Sequence, residues 1–171
     1  MDAEHLRALQ APLKERYRSE PEAAIITLKA RARLGDESIS CKVETGKALV
    51  DAGLHPATGG DGSFACSGDM LLEALVACAG VTLKAVATAL GVTLRSGVVS
   101  AEGDLDCKGT LGVDKQARVG FSDIRVRFDL DTDAAPEQIE KMIKLTERYC
   151  VIYQTLRNPP AVSLSANRRE P

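Results

Sequence analysis

The chain has no tryptophan, only three tyrosines and three phenylalanines, and two histidines among its 171 residues. So few rings exclude a stacking platform for single-stranded nucleic acid. Two histidines, with no CxxC pair among the five cysteines, exclude the usual kinds of structural zinc site. An excess of one charge is also missing: 22 basic against 24 acidic residues leave a net charge of −2, so no basic surface for nucleic acid is expected. The run Gly59-Gly60-Asp61-Gly62 lacks the Lys-Ser/Thr of a phosphate loop, and no nucleotide cofactor is expected. The first residues, MDAEHLRALQ, hold no apolar run and do not read as a secretory signal. The most apolar stretch, Met70 to Leu90, is interrupted by Glu73 and Lys84, which leaves too short a run for a bilayer. Five cysteines without an export signal read as thiols, and the cytoplasm is the expected compartment.

What is present suffices for one folded domain. Hydrophobic residues make up 44% and charged residues 27%, both near globular averages. Residues 1–20 are polar and helix-favouring around Pro12 and read as an N-terminal helical arm; residues 21–171 read as a single domain. Ile26, Leu28, Ala30, Ala32 and Leu34 alternate with Thr27, Lys29, Arg31 and Arg33, the period of a half-buried strand. Gly35-Asp36 then predicts a turn, and Ile39, Cys41 and Val43 a partner strand in a hairpin. Residues 51–68 hold five glycines and a proline and predict a long, functional loop. Residues 69–90 are apolar nearly all round, which predicts a helix through the core, stopped at Gly91.

A second β region follows. Val99, Ala101, Gly103, Leu105 and Cys107 share one face of a strand, and Ile124, Val126, Phe128 and Leu130 one face of another. Val119 and Phe121 fall out of phase with the second set, which predicts a bulge near Ser122-Asp123. Pro136 opens a second long helix, with Asp133 as its cap and Ile139, Met142, Ile143, Thr146, Tyr149, Cys150 and Tyr153 as its apolar stripe. Asn158-Pro159-Pro160 ends it, and Val162 with Leu164 predicts a short last strand. The order of elements is that of an α+β domain.

Cysteine is the chemistry this sequence offers, and position sorts the five. Cys41 and Cys107, on apolar strand faces, read as small buried hydrophobes. Cys66 precedes the central helix, whose N-terminus would lower its pKa while Asp69 opposes that; His55 is a candidate base for it. Cys78 lies nine residues into the helix, where the dipole has faded, so a reactive thiolate there needs a cation from another element. Cys150 lies on the core stripe of the second long helix. Spacing leaves two readings open for Cys78 and Cys150: inert packing, or a redox pair where two core helices meet. Arg31 and Arg33 read by default as solvated.

The segment Gly68-Asp69-Met70-Leu71-Leu72-Glu73-Ala74-Leu75-Val76-Ala77-Cys78, with Cys150-Val151-Ile152-Tyr153 further on, resembles the OsmC family, which includes the organic hydroperoxide resistance proteins. The resemblance implies antiparallel sheets wrapped around a long buried central helix, in an intertwined homodimer with its sites between subunits. It also implies a thiol-dependent peroxidase of oxidative-stress defence. Cys78 would attack an organic hydroperoxide and become a sulfenic acid, and Cys150 would resolve it as a disulfide. A dithiol reductant, dihydrolipoyl-type in some members, would then restore the thiols by exchange. In the family a carboxylate at the helix start, here Asp69 in place of Glu, holds an arginine from an early strand that stabilises the thiolate by charge. Arg33 is the candidate for that arginine, with Arg31 beside it. Val151 stands where the family has proline. Leu72, Leu75, Val76 and Val81 around Cys78, and Tyr149 and Tyr153 around Cys150, suit an alkyl or lipid hydroperoxide. The competing expectation is a non-catalytic OsmC-like dimer that holds a small apolar ligand in the interface pocket, and a third makes Cys66 the reactive thiol.

Overall fold

The computed structural model describes residues 3–34, 41–43 and 52–166. Helix α1 (Ala3–Ser19) carries Pro12 within it and a 3-10 turn (Pro21–Ala24) follows. Tyr17 near its end is buried against Ala24, Cys107 and Leu111, and its hydroxyl donates to the carbonyl of Ala57 at 2.5 Å. The arm is thus fastened to the body by a packed aromatic ring and one hydrogen bond.

Period-two alternation puts one row of each strand on a core and the other in water. Strands β1 (Ile25–Leu34) and β2 (Cys41–Val43) pair antiparallel, as the hairpin reading requires. The turn at Gly35-Asp36 and the strand residue Ile39 lie outside the described residues. Strands β3 (Ala52–Gly53) and β4 (Ala65–Cys66) form a separate parallel ladder, and a 3-10 turn (Pro56–Thr58) lies between them. The glycine-rich segment is therefore more ordered than the long loop expected. Helix α2 (Ser67–Ala89) leads to β5 (Ser96–Asp106), helix α3 (Cys107–Thr110) and β6 (Phe121–Asp131). Helices α4 (Pro136–Tyr149) and α5 (Val151–Arg157) complete the order. The antiparallel sheet runs β2-β1-β5-β6, and α2 packs across β1 and β5 with α4 and α5 beside it.

Several local expectations hold. Gly91 sits at φ +66°; its N–H and that of Val92 donate to Thr88 and Ala87, the paired bonds that close a helix with a left-handed glycine. The β5–β6 register slips between Asp104↔Asp123 and Leu105↔Phe121, which makes Ser122 the extra residue of a bulge. Its hydroxyl donates to the Asp104 carbonyl at 3.1 Å.

Others are corrected. The second long helix is two helices, because Cys150 takes an extended conformation (φ −70°, ψ 107°) between them. Tyr149 consequently turns outward. Asp133 does not cap α4; it pairs with Arg95, and the Gln138 side chain accepts from the Ala135 N–H instead. Cys107 opens the short helix α3, whose first turn Asp106 caps, although it is fully buried as expected. Val162 and Leu164 form no strand within this chain and are 83% and 97% exposed. Helix α2 is not buried all round either. Leu72, Leu75, Val76, Ala79 and Leu83 face protein, whereas Met70, Leu71 and Val81 are exposed.

The segment entering α2 has little steric freedom. A Cβ on Gly60 would lie 1.7 Å from the backbone oxygen of Leu54, and no side-chain rotation relieves a clash with backbone. Gly60→Ala is expected to destabilise by about 3 kcal/mol, the upper range for overpacking. A thermal melt checks this, with a midpoint lowered by roughly 6–12 °C.

Candidate active site

Cys78 is carried on α2 and Cys150 at the corner between α4 and α5. The corner keeps its backbone bonds through the break: the Cys150 N–H donates to Thr146 and its carbonyl accepts from Gln154, both at 2.9 Å. Side chains fasten it as well. Tyr153 Oη donates to Glu147 Oε1 at 2.9 Å, Gln154 Nε2 to the Glu147 carbonyl at 2.8 Å, and Arg157 reaches the Tyr153 hydroxyl at 3.2 Å. Cys150 is therefore held buried against Leu72, Leu75, Val76 and Ala79 of α2, with half-buried Cys78 against the same cluster.

The break matters chemically because it starts a new helix, and the first N–H groups of a helix have no partner within it. Here those of Val151 and Ile152 point at Cys78. Burial pushes the Cys78 thiol up, but Ile152 N–H, the Cys150 thiol, Val151 N–H and the Thr82 hydroxyl donate to its sulfur and together hold it below the ordinary thiol value. Dipoles from α5 thus supply what the sequence reading expected from a cation. Cys150 moves the other way: burial, with the charge on Cys78 adding to it, pushes its thiol up to about 11. One thiol of the pair is disposed to ionise and its neighbour to stay protonated.

The other expected residues are placed differently. Asp69 lies in the first turn of α2, about 13 Å along the helix axis from Cys78, and its charge acts on Glu73, whose carboxyl is raised first by burial and then by Asp69. Arg33 lies near the end of β1 in register with Lys42 and Val98, and Arg31 with Ser100; their side chains lie outside the described residues. Cys66 ends β4 and precedes α2. His55 Nδ1 accepts the Ala57 N–H at 3.0 Å, a bond that closes the 3-10 turn. Cys107 is pushed up to about 11 by burial, with Asp106 and Cys66 adding to it. Thr82 was missed by the sequence reading although it stands one turn from Cys78 at i+4, on the same helix face.

A cleft of about 530 Å³ opens between β6, α4 and α5. Its walls include Ile124, Val126, Phe128 and Leu156, and Cys150 is among its lining residues.

Fold and site together define an α+β protein that carries a thiol pair where a long central helix meets a broken helical corner. The chain belongs to the OsmC-like protein family, whose model matches residues 60–165. Its structure is similar to that of an OsmC-like hydroperoxide resistance protein from Jannaschia sp. CCS1, with a TM-score of 0.58 and 15% identity over 81% of this chain and 91% of that one. It is also similar to an OsmC-like protein from Mycoplasma pneumoniae, with a TM-score of 0.55 and 16% identity over 79% and 86% of the two chains. No curated protein matches it in sequence.

Proposed function

We propose that this protein is a thiol-dependent peroxidase that reduces organic hydroperoxides, with Cys78 as the attacking thiol and Cys150 as the resolving one. The observation that carries this reading is the packing of Cys78 and Cys150 in one buried cluster, with the Val151 and Ile152 N–H groups favouring the Cys78 thiolate. The Cys78 thiolate attacks the terminal oxygen of the hydroperoxide, the O–O bond breaks, and the alkoxide leaves with a proton as an alcohol. The resulting sulfenic acid is attacked by Cys150, which expels water and closes the disulfide. A dithiol then returns both sulfurs to the reduced state. Arg33 is proposed as the charge that assists the leaving oxygen, oriented by Asp69. The apolar surroundings of the pair, Leu72, Leu75 and Val76, favour an alkyl or lipid hydroperoxide over hydrogen peroxide. The reading places the protein in the cytoplasm, where free thiols persist.

A homodimer is part of the same reading. Leu71, Ala74, Cys78, Val81, Ala85 and Thr88 recur at alternating steps of three and four along α2, the spacing of a helix–helix seam. Apart from Cys78, which packs at the edge of the Leu72 and Val76 cluster, they lie on the face of α2 away from those residues, and Leu71 and Val81 are exposed in the single chain. A second copy seated there covers the apolar face and brings Cys78 to the boundary between subunits.

The test is non-reducing peptide mapping of the reduced protein after one equivalent of cumene hydroperoxide. A new Cys78–Cys150 link is expected, absent from the untreated control. If both thiols stay free while the peroxide persists, the reading is wrong and a ligand-binding module takes its place.

A further inference from the structure

We propose that Gln154 is a positioning residue for the thiol pair: its side-chain amide replaces a backbone donor at the Glu147 carbonyl and so keeps α4 and α5 as two helices with Cys150 at the corner. The inference rests on the peroxidase reading and adds a residue that touches neither sulfur. Nothing in the residue types of this stretch forces a break. Neither glycine nor proline occurs from Glu137 to Asn158, and the apolar stripe keeps helical spacing throughout. In an unbroken helix the Glu147 carbonyl would accept from the Val151 N–H, four residues on. Cys150 instead takes ψ 107°, which turns the Val151 N–H away and leaves that carbonyl without its helical donor. Gln154 Nε2 takes the place of that donor at 2.8 Å.

The surroundings make the exchange specific. Asn158 Nδ2 donates to Gln154 Oε1 at 3.3 Å, which orients the amide with its nitrogen toward Glu147. The backbone bonds on either side of the break are kept: the Cys150 N–H donates to the Thr146 carbonyl and the Gln154 N–H to the Cys150 carbonyl, both at 2.9 Å. Arg148 and Tyr149 also lose their helical donors, but both residues are exposed and water serves them, whereas Glu147 is half-buried. The consequence reaches the site. With the chain turned at this corner, Ile152, Tyr153 and Leu156 pack on the same α2 cluster as Cys78, and the released Val151 N–H favours the Cys78 thiolate. Without the Gln154 amide, the Val151 N–H is drawn back to the Glu147 carbonyl, α4 runs on through Cys150, and Cys78 loses that donor.

The test reads the Cα carbon chemical shift of Cys150 by NMR in the reduced full-length protein, so it does not depend on peroxide chemistry. Gln154→Met keeps the size and helix preference of the side chain and removes the donor. Its Cys150 shift is expected to move from the extended to the helical side of the random-coil value. Iodoacetamide labelling of Cys78 at pH 7 is expected to fall about tenfold, the loss of one hydrogen bond to a charged sulfur. Gln154→Glu, which has the same shape and no donor when ionised, is expected to move the Cys150 shift in the same direction. Tyr153→Phe removes the bond to Glu147 Oε1 but leaves the carbonyl served, so Cys150 is expected to stay extended. A Cys150 shift unchanged in both Gln154 variants overturns the proposal. So does a helical Cys150 in Gln154→Met with Cys78 labelled as in the parent, or a Tyr153→Phe shift that moves as far as that of Gln154→Met. If the expected shifts and labelling are found and the parent consumes no cumene hydroperoxide, the peroxidase reading fails while the placing of Cys150 by Gln154 stands.

Discussion

Replacing Cys78 with serine is expected to lower cumene hydroperoxide consumption on the order of 10³-fold or more, because the serine hydroxyl stays protonated where the thiol ionises. Val151, Ile152 and Thr82 can still donate to an oxygen at that position, so folding is expected to survive and the loss to be chemical. Cys150→Ser gives a different result. Its hydroxyl can still donate to Cys78, the first peroxide is still consumed, and turnover then stops with the oxidised sulfur unresolved. Consumption of one equivalent per chain, with a dimedone adduct on the Cys78 peptide, is the expected signature. Equal dimedone labelling of Cys78 in the parent protein, where Cys150 is expected to close the disulfide first, would remove Cys150 from the mechanism. Loss of activity on Cys66→Ser, with Cys78→Ser unaffected, would move the chemistry to the other end of α2.

What the sequence made legible, and what it did not, follows from which interactions leave a mark on side-chain type. Burial alternates with period two along β5 and β6, so Val99, Ala101, Ile124 and Val126 were readable, and the phase slip at Phe121 exposed the bulge. The end of α2 was readable because only glycine takes φ +66° without strain. The break at Cys150 was not. The apolar stripe from Ile139 to Tyr153 keeps helical spacing straight through it, and a helix interior and the first turn of a new helix accept the same residues. The open face of α2 was equally hidden, since an apolar side chain does not say whether its own sheet or another surface will cover it. In the site, residue type marked the cysteines and resemblance paired them. The donors that lower Cys78 are mostly backbone N–H groups, which have no signature in sequence; Thr82 at i+4 was the readable part.

Those backbone donors carry the second large expectation, a separation of the two thiols by pH. Cys78 is held below the ordinary thiol value and Cys150 is pushed up to about 11. A lowered thiol pKa means that thiolate persists to lower pH. Iodoacetamide labelling of Cys78 in the reduced protein is therefore expected to have its midpoint below that of an ordinary thiol. Cys150 labelling should keep rising toward pH 11. At pH 8 only about one part in a thousand of such a thiol is ionised, so Cys78 should label more than about tenfold faster even though a high-pKa thiolate is the better nucleophile. Val151 makes the cause testable. Proline fits the first position of a helix but has no N–H, so Val151→Pro deletes one donor and leaves α5 able to start. A hydrogen bond to a charged group is worth about 1.5 kcal/mol or more, and labelling of Cys78 at pH 7 should fall roughly tenfold. Cys78→Ala is expected to move the Cys150 profile downward, because the neighbouring charge is gone, while burial keeps it above an ordinary thiol. Equal labelling of the two cysteines at pH 7, or a Val151→Pro profile identical to the parent, would mean that the corner at Cys150 does not activate Cys78.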